Sequence, residues 1–272
     1  KDKGFDSVYY LPLAVNTKRY DSISVSDEDT AKFGEDITFV GNLYSDILRD
    51  YMAPMNDYQK GMIQGICAAQ KQLYGAYIID EVLTEDFINS INKQYKMLRP
   101  DTEVEMTKPA LSFAMASQIT RDERLTILGL ISKHQKLGYY SREKNAMLSN
   151  AKYMGTCDYY LEMPKVFKSS KINLNITLRI LKSGIPLRAL DIMGCGGFLL
   201  SNYQPELAEY FEDGKDLVMY GSIEEAFEKT NYYLGHESER EKIAASGYEK
   251  VKRDFTYEKR IETMFRIAGI IQ

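Results

Sequence analysis

In RALDIMGCGGFLLSN (188–202) a carboxylate, Asp191, stands three residues after Arg188 and is followed by three glycines, Gly194, Gly196 and Gly197. Two chemistries fit those residue types. If an apolar strand ends at Asp191, the glycines form a loop suited to S-adenosylmethionine, and the chain moves methyl groups. If Asp191 sits on a helix that ends at the glycines, FLLSN is the strand and the ligand is a different one. The order of elements decides between them. Pro186, Leu187, Leu190 and Met193 lie at helical spacing, and the glycines fit a helix C-terminus with a tight exit. Phe198, Leu199 and Leu200 read as a buried strand. Two residues rather than one separate Asp191 from Gly194. Helix then strand is the expected order.

Other constellations carry less chemistry. Asp27-Glu28-Asp29 has a D-x-D form but falls in a polar stretch ahead of the first apolar strand, where an exposed acidic loop is expected. His134 and His236 are the only histidines, and neither lies near a Cys or carboxylate at metal-ligand spacing. Asn173, Asn175 and Thr177 share one face of KINLNIT (171–177), polar where a strand buried on both sides should be apolar. An edge strand with a wet face explains that stripe, and so does a ligand.

The elements that must position these residues alternate. SVYYLPLAV (7–15) and EDITFVGN (35–42) read as strands, the first with a Pro suited to a sheet edge. From about 44 to 134 apolar residues recur at three and four, as in amphipathic helices punctuated by Pro100 and Pro109. KLGYY (136–140), CDYYLE (157–162), KINLNIT, FLLSN and DLVMYGS are strand candidates. Between and after them lie helices opened by Pro186, by Pro205, by Ser222 with Glu225, by Ser238 with Glu241, and by Thr256. Such alternation implies an α/β fold with a mostly parallel sheet covered by helices on both faces.

Composition bounds the rest. The 272 residues suffice for a sizeable core, 44% are hydrophobic and 27% charged, and the net charge is −4 with no basic block. A nucleic-acid partner is therefore not expected. Cys67, Cys157 and Cys195 lie far apart, as thiols of a reducing, cytoplasmic protein do. No apolar run reaches the ~18 residues of a transmembrane segment. The chain opens KDKGFDSVYY without an initiator Met or a signal-peptide pattern, as a fragment would.

The run SKINLNITLRILKSGIPLRALDIMGCGGFLLSNYQPELAEYFEDGKDLVMYGSIEEAFEKTNYYL resembles the C-terminal, donor-binding domain of GT-B glycosyltransferases (group 1-like). It is most similar to the bacterial spore-maturation or spore-coat type. YYLPLAVNTKRYD, ITFVGNLY and IAASGYEKVKRDFTYEKRIETMF extend the resemblance over residues 8–268, weakest across 44–120. It implies a Rossmann-like parallel sheet, the C-terminal half of a GT-B fold, with a helical insertion at about 44–120. Residues 1–30 would end the N-terminal domain and form the linker, and 31–272 would bind the donor. The implied donor is a nucleotide-diphosphate sugar and the acceptor a glycan or other molecule. No cofactor or metal is expected, and the N-terminal GT-B domain would be the missing partner.

The resemblance also assigns residues. Arg188 would hold the diphosphate, whose developing charge as a leaving group needs a cation. Asp191 falls where the family carries the second Glu of an E-x7-E pattern and would hold ribose hydroxyls. The first Glu is replaced by Ser183, and the family's Gly-Gly before the next helix by Tyr203-Gln204. Lys171, Asn173 and Asn175 on the alternating strand, Gly41 and Asn42 after the first strand, Tyr203 and Gln204, and Tyr160 and Met163 as base contacts complete the expected site. No catalytic nucleophile or base stands out. A non-catalytic binding module, a sugar-nucleotide epimerase and a methyltransferase are the alternative readings.

Overall fold

The computed structural model describes residue 4 and residues 7–270 apart from 102 and 104. Six short strands, β1 (Ile37–Val40), β2 (Leu137–Tyr140), β3 (Lys152–Tyr153), β4 (Ile172–Asn175), β5 (Leu199–Asn202) and β6 (Val218–Tyr220), form one sheet. Every pairing is parallel and the order is β3-β2-β1-β4-β5-β6. The fold is thus α/β and Rossmann-like. Chain direction across the sheet reverses between β1 and β4, and beyond the carboxyl ends of that pair lies the crevice where open parallel sheets bind ligands.

Thirteen helices surround the sheet among the described residues. They are α1 (Thr17–Ser22), α2 (Asp27–Phe33), α3 (Ile47–Met52), α4 (Asp57–Gln72), α5 (Ile79–Val82), α6 (Glu85–Leu98), α7 (Lys108–Ser132), α8 (Met163–Ser169), α9 (Leu187–Gly194), α10 (Pro205–Tyr210), α11 (Ile223–Gly235), α12 (Glu237–Asp254) and α13 (Tyr257–Ile267). One face of the sheet packs Ile37, Phe39 and Leu200 against Leu125 and Leu128 of α7 and Ala226 of α11. The other packs Leu199 and Met219 against Val166 and Phe167 of α8, Ala189 and Leu190 of α9 and Val251 of α12. A third core, including Ile63, Ile79, Phe87 and Met115, belongs to α3–α6 and the first half of α7. α7 runs unbroken from that core into the sheet core, because its apolar residues continue from Leu111 through Ile131.

Around 188–202 the order is helix then strand: Asp191 lies inside α9, and β5 follows. This removes the methyltransferase loop, in which the Asp would end a strand. Gly196 takes φ +77°, a conformation that favours glycine at a helix exit. A Cβ at Gly197 would lie 2.8 Å from Asn173 Nδ2 and 2.9 Å from Phe167 O, so only glycine fits there.

Several local expectations are corrected. SVYYLPLAV forms no strand; only Val15 bridges, to Thr256, because no neighbouring strand meets the exposed residues before it. Asp27-Glu28-Asp29 is not a loop but the first turn of α2. Ser26 and Asp29 close a reciprocal capping box there, and the acids complement the helix N-terminus. CDYYLE is a turn leading into α8, since the Asp158 carboxylate accepts from the N–H groups of Tyr160 (2.9 Å) and Leu161 (2.7 Å). Its place in the sheet is taken by Lys152–Tyr153. Pro186 is the N-cap of α9 rather than its first residue, and α12 begins at Glu237, one residue before Ser238. KINLNIT is not an edge strand: β4 lies between β1 and β5, and its polar face is satisfied internally.

Candidate functional site

The carboxyl edge of the sheet is where the chemistry-bearing side chains converge, in three groups. The first surrounds α9. Arg188 projects from its first turn with its guanidinium over the Phe167 ring (5.7 Å), in contact with Met163 Sδ and 3.9 Å from Asp191 Oδ2. Asp191 is 1% exposed. Its Oδ1 accepts from Tyr20 Oη (2.6 Å) and Tyr159 Oη (3.1 Å). Burial pushes the Asp191 carboxyl above the usual carboxylate range, against the opposing pull of Tyr20, Arg188 and Tyr159. Burial and the Asp191 charge push the Tyr159 hydroxyl up to about 12. Exposed Tyr160 stacks under Arg19 at 4.8 Å. Arg188, Asp191 and Met163 thus stand together, and Tyr160 packs edge-on against Tyr159, which bonds Asp191.

The second group lies at the β1/β4 crevice. Gly41 and Asn42 follow β1, and the Asn42 side chain caps the Tyr44 N–H (2.8 Å). At the end of β4, Asn175 Nδ2 donates to Thr177 Oγ1 (3.0 Å) and Ser201 Oγ (2.9 Å). Two arginines one turn apart on α7 close this crevice. Arg121 donates to Tyr44 O (3.2 Å), and buried Arg124 donates to Ile176 O and Asn42 O, tying the two diverging loops together. Neither forms an ion pair with a carboxylate among the described residues, and the rings of Phe39 and Tyr44 flank the Arg124 guanidinium.

The third group lies under α7 beside β6. Glu123 and Arg179 form a buried ion pair (2.8 Å), with Tyr74 Oη donating to Glu123 (3.0 Å) and the Arg179 guanidinium lying 3.8 Å over the Tyr74 ring. Burial raises the Glu123 pKa while Arg179 holds it down. Tyr203 packs beside Gly75, and Gln204 lines a cavity of about 120 Å3 with Arg179, Lys182 and Tyr77.

Two expected site residues lie elsewhere. Lys171 precedes β4, at the amino edge of the sheet, and pairs with Asp36 (2.7 Å). Asn173 is inside the sheet, accepting from Thr38 Oγ1 (3.0 Å) and donating to Phe167 O (3.1 Å). Arg121, Glu123, Arg124 and Arg179 escape the sequence reading. The one clue is RDER at 121–124, a charged run inside an apolar helix that reads equally well as a solvated face. Among the described residues no group of three His, Cys, Asp or Glu is arranged to hold a metal ion, and no helix is long and apolar enough to cross a membrane.

A family model described as glycosyl transferase-like matches residues 96–266. Among solved structures, the chain is similar to S. aureus TarM, at 13% identity and a TM-score of 0.44, over 54% of this chain and 32% of that one. It is similar to the C-terminal domain of LpcC, a glycosyl transferase group 1 family protein from Francisella tularensis (17%, 0.41, over 50% and 78%). A glycosyltransferase from Rickettsia africae is also similar (12%, 0.41, over 72% and 55%). The chain thus spans about a third of the length of TarM. No curated protein matches it.

Proposed function

Because the chain belongs to the glycosyl transferase-like family, we propose that it binds a nucleotide-diphosphate sugar and presents the sugar for transfer to a glycan or other acceptor. In this reading it is the donor half of a cytoplasmic GT-B enzyme of the spore-coat type, and a further N-terminal domain completes the cleft. The observation that carries the reading is the reversal of strand order between β1 and β4, with Arg121 and Arg124 at the loops that follow those strands and Arg188 on the first turn of α9, the helix after β4.

Transfer breaks the bond between the sugar and the diphosphate, and negative charge grows on the leaving phosphate. Arg188, 29% exposed, is the cation placed to meet it, since guanidinium binds phosphate oxygens through two parallel N–H groups. Asp191 orients Arg188 from behind. It reaches a ribose hydroxyl only when Tyr159 swings away from it. Tyr160 offers an exposed ring against which a base can stack.

The test is a calorimetric titration of the chain with UDP, GDP, ADP and dTDP, with S-adenosylmethionine as the control. Saturable binding of one nucleoside diphosphate is expected, and it names the base. Binding of S-adenosylmethionine alone, or of all five ligands equally weakly, would remove the reading.

A further inference from the structure

A groove of about 670 Å3 runs across the helical insertion between α3, α4 and α7. Leu48, Ile63 and Cys67 are buried in it and Met52, Ala53 and Ala68 add apolar surface, beside the charged Asp46, Arg49 and Lys60. At one end it shares Lys71, Gln72 and Asp122 with a second cavity of about 210 Å3. The Lys71–Asp122 ion pair (2.7 Å) is the sill between the two.

The second cavity has a different chemistry. Glu123, Arg179, Ser222 and Glu224 line it, beside the carboxyl ends of β4 and β6. Two of its ion pairs, Lys71–Asp122 and Arg179–Glu123, are already closed. An anionic group entering it meets Glu123 and Glu224 and finds Lys71 and Arg179 already paired. A neutral hydroxylated group needs no free charge, because ion-paired carboxylates still accept and guanidinium N–H groups still donate. At about 210 Å3 this cavity is smaller than the roughly 300–1,000 Å3 of small-molecule sites, whereas the groove lies within that range.

We propose that the two cavities together hold an amphiphile, with its single apolar chain in the groove and its neutral, hydroxylated head at the sheet edge. That this amphiphile is the acceptor rests on the glycosyl-transfer reading. Its binding does not, so it is tested without nucleotide.

The probes are methyl, hexyl, heptyl and octyl β-glucoside, each below its micelle threshold, and octanol, followed by protein-observed NMR. Each added methylene should tighten binding about fourfold, with shifts in 48–72, 118–126, 179 and 222–224. Ala68→Phe, which fills the groove from an exposed helix position, should abolish the chain-length dependence while leaving the thermal midpoint unchanged. Alkyl glucosides that bind no better than methyl glucoside overturn the proposal, as does octanol binding as tightly as octyl glucoside, or shifts confined to another surface such as α13. Failure here leaves the nucleotide titration untouched, and failure of that titration leaves this one standing.

Discussion

The Tyr20 hydroxyl donates a 2.6 Å hydrogen bond to the Asp191 carboxylate across 171 positions of sequence, joining α1 to the helix that carries Arg188. Both groups are buried, and burial raises the pKa of each. The bond fixes which way the Asp191 carboxylate points, and through it the side from which Arg188 is held.

Tyr20→Phe should therefore destabilise the fold by about 1.5–3 kcal/mol, the range for a hydrogen bond to a charged group. Urea unfolding followed by circular dichroism measures this. A loss below about 0.5 kcal/mol would mean that Asp191 is held by Tyr159 and Arg188 alone.

The raised pKa of Asp191 makes stability depend on pH with a definite sign. The folded state holds the Asp191 proton more tightly than the unfolded chain, whose carboxylate titrates near pH ~4. This group's contribution is greatest below that value, and it declines as pH rises towards the folded-state pKa. Asp191→Asn removes the group and should flatten the unfolding free energy over that window. An identical pH slope in the two proteins would contradict the assignment.

Arg188→Ala should weaken binding of the nucleoside diphosphate at least ~10-fold if the guanidinium makes a charge-assisted bond worth roughly 1.5–3 kcal/mol. The same calorimetric titration reads this. Unchanged affinity would take Arg188 out of the site.

The Glu123–Arg179 pair lends itself to a double-mutant cycle. Glu123→Gln alone leaves a buried guanidinium without its counter-charge and should cost about 3–5 kcal/mol. Glu123→Leu with Arg179→Leu removes both charges and should cost less than either leucine substitution alone. Additive losses in chemical denaturation would show that the two side chains act independently.

Much of the fold is legible because its evidence is local. Ser222 and Thr256 cap α11 and α13 as their spacing predicts, and the apolar periodicity of 187–193 makes a helix before FLLS makes a strand. Where local evidence misleads, a tertiary partner or a short-range side-chain bond is responsible. SVYYLPLAV has strand composition but no strand beside it to pair with. CDYYLE is diverted into a turn by one carboxylate, that of Asp158.

For the site the division is sharper. Arg188 and Asp191 share a helix turn, and that proximity is readable from their spacing of three. Nothing in the sequence brings Tyr20 to Asp191, Arg179 to Glu123, or Arg124 to the carbonyls of Asn42 and Ile176. By itself the sequence determined the alternation of helices and strands, the helical insertion, and the helix that presents Arg188, because periodicity, caps and glycines act over a few residues. Only the tertiary structure decided that β4 is central, that its polar face is satisfied inside the sheet, and that two arginines of α7 close the crevice beside it. Parallel pairing joins segments separated by long crossovers, and such contacts leave no periodic trace in either partner's own sequence.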